Sequence, residues 1–196
     1  MKASFFKRVA AYFIDIMFVT LIASIITSGF STTKYEKIYK EYEDLTNKYA
    51  TQEITIEEYN EEIRPLTYDL QEASITTTIV TVTMSIAYFI VFQCLNKGQT
   101  LGKKMLSLRV LEKGKEPSLK AIILRTFIIN SIFSGLCSII FVYTLNRNNY
   151  YQVYSIISWL EMSFIFISVL FILYRKDKLG LHDIIAHTEV IDERGR

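Results

Sequence analysis

Residues 9–30, VAAYFIDIMFVTLIASIITSGF, are apolar from end to end except for Asp15. About 20 such residues cross a bilayer core of roughly 30 Å as a helix. Three more stretches approach that length: Ile75 to Leu95, Ala121 to Leu145, and Val153 to Tyr174, where Glu161 is the one acidic residue. Ser, Thr and Ile are frequent in the second and third runs and would disfavour helix in water. In lipid a spanning segment must satisfy its own backbone, and helix does that. The reading is an all-α membrane protein with four transmembrane helices. The first run is longer than the roughly 7–15 residues of a signal core and carries a carboxylate, so it reads as a retained span rather than a leader.

Composition agrees. The 196 residues are 51% hydrophobic with only two prolines and seven glycines, which excludes disorder and favours long helices. They form one domain, 1–196, with a hairpin insertion at 31–73 and a basic loop at 96–120. A net charge of +2 gives no footing for nucleic acid. Cys94 and Cys137 lie in apolar stretches without CxxC spacing, so packed thiols are expected and not a disulfide framework.

Basic residues set the orientation. They concentrate in the amino end (Lys2, Lys7, Arg8), in the segment from Lys97 to Arg125, and in the tail (Arg175, Lys176, Lys178, Arg194, Arg196). An even number of spans puts these three regions on one side, and the positive-inside rule makes it the cytoplasm. Both termini are therefore expected inside a plasma membrane, with residues 31–73 outside.

That outer segment reads as two helices. Tyr35, Ile38, Tyr39, Tyr42, Leu45 and Tyr49 recur at helical spacing. Thr55 followed by Glu58 has the capping-box form, and Ile56, Tyr59 and Ile63 carry the period up to Pro65. Its acidic surface is either a docking platform or a solvated face that keeps the extension soluble. In the basic loop, Thr100 is a helix-cap candidate and Leu108 to Leu111 alternates as a strand. Lys113-Gly114-Lys115 supplies a turn, and Thr188 to Ile191 in the tail pairs with Leu108 to Leu111 to form a small cytoplasmic cap.

Three stretches carry a resemblance. Phe6-Lys7-Arg8-Val9-Ala10-Ala11-Tyr12-Phe13-Ile14-Asp15, the Gly-x-Thr-x-Gly-Lys run from Gly98 to Lys103, and Gly180-Leu181-His182-Asp183 together resemble the RDD family of bacterial membrane proteins, called after one arginine and two aspartates. The resemblance implies that Arg8, Asp15 and Asp183 fill those roles. It also implies a bacterial cell membrane and a transport role. The departures are the long acidic hairpin and an additional span.

Physics adds roles of its own. Arg8 and Asp15 are seven residues apart, within roughly 20° of one helix face, and about 10 Å apart along the axis. Arg8 can snorkel to the headgroups. Asp15 costs several kcal/mol in a span unless paired, protonated or hydrated, so it should face the bundle. Its expected partner is Arg125 or the basic loop. Glu161 falls near the same depth, with Asn130 and Gln93 as available polar company. The two carboxylates either bind a cation or pass protons, or else latch helices together. His182 and His187 are five apart, which is the wrong spacing for a zinc-binding helix, and His182-Asp183 is expected to cap or anchor the amphipathic tail at the membrane surface. No phosphate loop, nucleophile elbow or triad pattern appears, so no enzyme and no cofactor are expected. The expected surroundings are the lipid bilayer and a homo-oligomeric or membrane-protein partner. The two functional readings are a small cation or proton transporter and a non-enzymatic accessory subunit docking through the hairpin or cap. The resemblance inclines to the first.

Overall fold

The computed structural model describes residues 1–30 and 32–195, so Ser31 of the hairpin segment and Arg196 of the basic tail lie outside the described residues. Helix α1 (Phe5–Thr27) starts where the Ser4 hydroxyl accepts the Lys7 N–H at 3.4 Å. The second apolar run, Ile75–Leu95, is one rod made of α4 (Ile75–Ile86), a π-helical turn (Ala87–Phe92) and α5 (Gln93–Leu95). Further along lie α6 (Leu101–Met105), α7 (Leu119–Ile129), α8 (Ile132–Thr144), α9 (Arg147–Tyr174) and α10 (Leu181–Ile185).

α1, the Ile75–Leu95 rod and α9 are each long and apolar enough to cross a membrane. The third run differs from a straight rod. Leu119–Phe127 and Ile132–Thr144 meet at 71°, giving three candidate spans, or four if the bent pair crosses as one. Ser131 causes the break by adopting a left-handed conformation (φ +51°) that starts α8 afresh. The Ile129 carbonyl at the break is taken by the Tyr12 hydroxyl at 2.9 Å, so the bend leaves that acceptor satisfied. The outer surface is what a lipid-facing bundle requires. Phe13, Leu21, Trp159 and Phe166 are all more than 60% exposed, while Asp15, Gln93, Ser138 and Glu161 are buried.

The hairpin is α2 (Thr33–Ala50) and α3 (Ile56–Ala73), packed together over Ile38, Leu45 and Ile63. The Thr55–Glu58 box forms in both directions, at 3.3 and 2.8 Å. The helical spacing was expected to run only to Pro65, yet α3 continues to Ala73. Proline removes one backbone donor there. Packing of α3 along α9, and Tyr68 donating to the Val142 carbonyl of α8 at 3.1 Å, hold the helix through it.

At the other end, β1 (Leu108–Glu112) and β2 (Thr188–Asp192) pair antiparallel with Val110 opposite Val190, as the alternation predicted. The amino terminus joins this sheet, Ala3 N–H donating to the Val190 carbonyl at 2.9 Å. Lys113 and Gly114 both have positive φ in the tight turn after β1. Ala3, Ala11, Leu108, Val110 and Val190 form a small apolar core that seats the sheet on α1. The Gly98–Lys103 loop and α10 are thereby brought to the same end of α1.

Candidate functional site

The three motif stretches of the sequence converge at the sheet end, around two buried carboxylates. Asp15 is 1% exposed. Its Oδ1 accepts from the Tyr88 hydroxyl at 2.6 Å and from the Gly102 N–H at 2.7 Å, and its Oδ2 accepts from the Thr100 hydroxyl at 2.5 Å. Of the two expected partners the loop is the actual one, and Arg125 is not. Thr100 does stand at the N-cap position of α6, but its side chain makes no capping bond. Asp15 of α1 does that work instead, holding an N–H of the first turn, where a negative charge is favoured.

This geometry accounts for the glycines of the loop. A Cβ on Gly102 would run into the Ala11 carbonyl and the Asp15 carboxylate, so only glycine lets α6 approach α1 this closely. Gly98 sits at φ +87° with the Val110 carbonyl where a Cβ would go. Tyr88 lies on the π-helical turn of the second rod, and its oxygen also accepts the Leu101 N–H at 3.0 Å.

Asp183 is fully buried and holds two arginines. Arg8 donates from Nη1 to its Oδ2 at 2.9 Å and from Nη2 to the Val190 carbonyl at 3.4 Å. Arg125 donates to Oδ1 of Asp183 and, at 3.2 Å, to the Thr188 hydroxyl. The Gly180 N–H (3.1 Å) and Thr188 hydroxyl (3.3 Å) complete the shell. Arg8 therefore does not snorkel outward. Asp183 draws it in, and its side chain is only 9% exposed. Of the two roles expected for His182-Asp183, Asp183 does cap α10 by accepting the Gly180 N–H, but both residues are buried between α7, α9 and β2 rather than lying on an outer surface. His182 meets the Ser168 hydroxyl at 2.5 Å through Nδ1. Burial, and then the neighbouring Arg125 and Arg8, hold its imidazole well below the usual histidine range, so it stays neutral. Lys103 reaches Gln93 at 3.4 Å, and burial beside Arg125 pushes its ammonium down to about 8. Gln93 thus belongs to the loop rather than to Glu161.

Glu161 stands apart from these groups. It is 8% exposed, faces Ser134 of α8, and keeps its Oε1 without a hydrogen-bond partner. The Oδ1 of Asn130 is likewise buried and unmatched. Between the two regions is a cavity of about 180 Å³ bounded by α1, α7 and α9, with Arg8, Asp15, Lys103, Arg125, Asn130, Ser168 and His182 on its wall. Glu161 lies one turn from Ile165, on the α9 face that lines this cavity with Ser168 and Ile172. Among the described residues no group of three or more His, Cys, Asp or Glu side chains is placed to hold a metal.

The sequence pattern that defines the RDD family matches residues 2–187, a stretch holding Arg8, Asp15, the Gly98–Lys103 loop and Asp183. The chain belongs to the RDD family. No curated protein and no solved structure matches it. Family and apolar helices together make this RDD chain a membrane protein. Its arginine and its last aspartate form one ion pair, and the first aspartate fastens a different loop. Sequence reasoning named Lys103 only as the end of the Gly-x-Thr-x-Gly-Lys run and Thr188 only as the start of the tail strand. It missed Tyr88 and Ser168, for which there was no signal.

Proposed function

We propose that this RDD protein is a small membrane transporter of the bacterial plasma membrane, with four spans, both termini in the cytoplasm, and a translocation route through the cavity between α1, α7 and α9. The observation that carries this reading is a charged cavity whose α9 wall shares a helix face with a buried carboxylate that has an idle oxygen. A fully engaged carboxylate holds structure, whereas one with a free lone pair at membrane depth is placed to take up and release a proton or bind a cation. By that criterion Glu161 is the exchanging group. Asp15, with three donors on its two oxygens, is the fastening between α1 and the loop.

Proton and cation flux in proteoliposomes tests the proposal. Wild-type protein should carry flux and Glu161→Gln should abolish it. Flux undiminished in a folded Glu161→Gln variant would overturn the assignment of Glu161. A well-folded wild type without flux would favour the accessory reading, in which the acidic hairpin docks a partner.

A further inference from the structure

The cavity has a charge and a shape that together specify what fits in it. Its wall carries three cations, Arg8, Lys103 and Arg125, and one carboxylate, Asp15; Asp183 stands behind the wall paired with Arg8 and Arg125, Glu189 also attracts Arg8, and His182 is held neutral. Among the described residues Lys103 has no ion pair, so the wall facing the cavity presents more positive than negative charge. The Arg8 Nε is buried and unpartnered although its side chain is 91% enclosed, leaving a donor with nothing to donate to. Beyond these groups the wall is apolar, formed by Phe5, Val9, Ile165, Val169 and Ile172.

The cavity lies at a seam that reaches the outer surface. α1 packs on α4 and α6, while α9 packs on α3, α7, α8 and α10, so the cavity occupies the seam between two groups of helices. Val9 lines it and is also 46% exposed on the outer surface, which carries the seam to the lipid-facing side. A volume of 180 Å³ is roughly six waters' worth of space. That admits a compact head and a few methylenes, with any longer body lying along the seam.

We infer that the cavity takes an amphiphile with a compact anionic head, a carboxylate or phosphate, and an apolar body, entering sideways from the bilayer with its head against Arg8, Lys103 and Arg125. The inference rests on the transport reading in that it adds an anionic ligand at the cavity to the proton exchange assigned to Glu161. A bare inorganic anion leaves the apolar wall unused. A cationic amphiphile meets the wrong charge. Each methylene buried against that wall should tighten binding by about fourfold.

The test is equilibrium binding of radiolabelled decanoate to the full chain in nanodiscs of zwitterionic lipid. The expected result is saturable binding, one per chain, tighter than octanoate by about tenfold or more, and not displaced by decyltrimethylammonium or inorganic phosphate. Lys103→Met should weaken it about tenfold through the charge, and Val169→Trp should weaken it through the apolar wall with every charge retained. Displacement by phosphatidic acid identifies a membrane lipid as the source, and resistance to it identifies a free amphiphile. Both outcomes uphold the inference. Failure to saturate, equal binding of decyltrimethylammonium or phosphate, or full binding by both folded variants would overturn it. The binding needs no gradient. A chain that binds decanoate but moves no proton loses only the transport reading, and one with Glu161-dependent flux that ignores decanoate loses only this one.

Discussion

The two ends of the bundle hold their charges in opposite ways. At the sheet end Asp183 and Asp15 are 0% and 1% exposed, and each of their oxygens has a donor. At the hairpin end Lys34 meets Glu72 at 2.7 Å and Arg147 meets Asp69, and three of these four side chains are about half exposed. The first arrangement specifies which segments of chain belong together, because any mismatch leaves a buried charge without a counter-charge. The second is solvated surface, where water offers nearly the same interaction as the partner. Counting ion pairs would rank the ends alike, whereas burial separates them.

Substitutions at both ends can break or sharpen this contrast. Asp183→Ala removes the counter-charge of both Arg8 and Arg125 and should cost about 3–5 kcal/mol. It should be seen as a large fall in the thermal midpoint of purified protein in detergent, or as loss of folded protein. A midpoint equal to wild type would erase the distinction. Gly102→Ala forces α6 away from the Ala11 carbonyl and from Asp15 and should cost about 1–3 kcal/mol. Faster hydrogen exchange confined to residues 100–105 would mark where the strain goes. Arg147→Gln at the hairpin end should cost under about 1 kcal/mol, a difference that shrinks further at high salt. A larger loss there would show that the hairpin is fastened as firmly as the sheet.

The reading of the sequence succeeded where the signal is local. Apolar run length located the candidate spans, three- and four-residue spacing located α2 and α3, and alternation paired Leu108–Leu111 with the tail. It failed where partners are far apart along the chain. Asp15 and Gly102 are separated by 87 positions, and no periodicity connects them. Tyr88 faces Asp15 from a π-helical turn, a local change of winding within an ordinary apolar run. The bend in the third run falls at Asn130-Ser131, with neither proline nor glycine to announce it. Glu161 was singled out for its cost in lipid, but its idle oxygen depends on which residues of α8 pack beside it. The family motif told which residues matter at the sheet end, and the coordinates told why: Gly98 and Gly102 for close approach, Thr100 for its hydroxyl.

The Arg8–Asp183 pair spans 175 residues. At ordinary synthesis rates about 9–35 s separate the appearance of the two. For that interval the first helix waits in the membrane with its arginine uncompensated, and Arg125 waits too once it emerges. Only when the tail arrives do α10 and β2 close over both. A segment made long after the first helix is thus the part that completes it, so a ribosome that stalls before Asp183 leaves a product whose uncompensated arginines distinguish it from a chain in which Asp183 is in place.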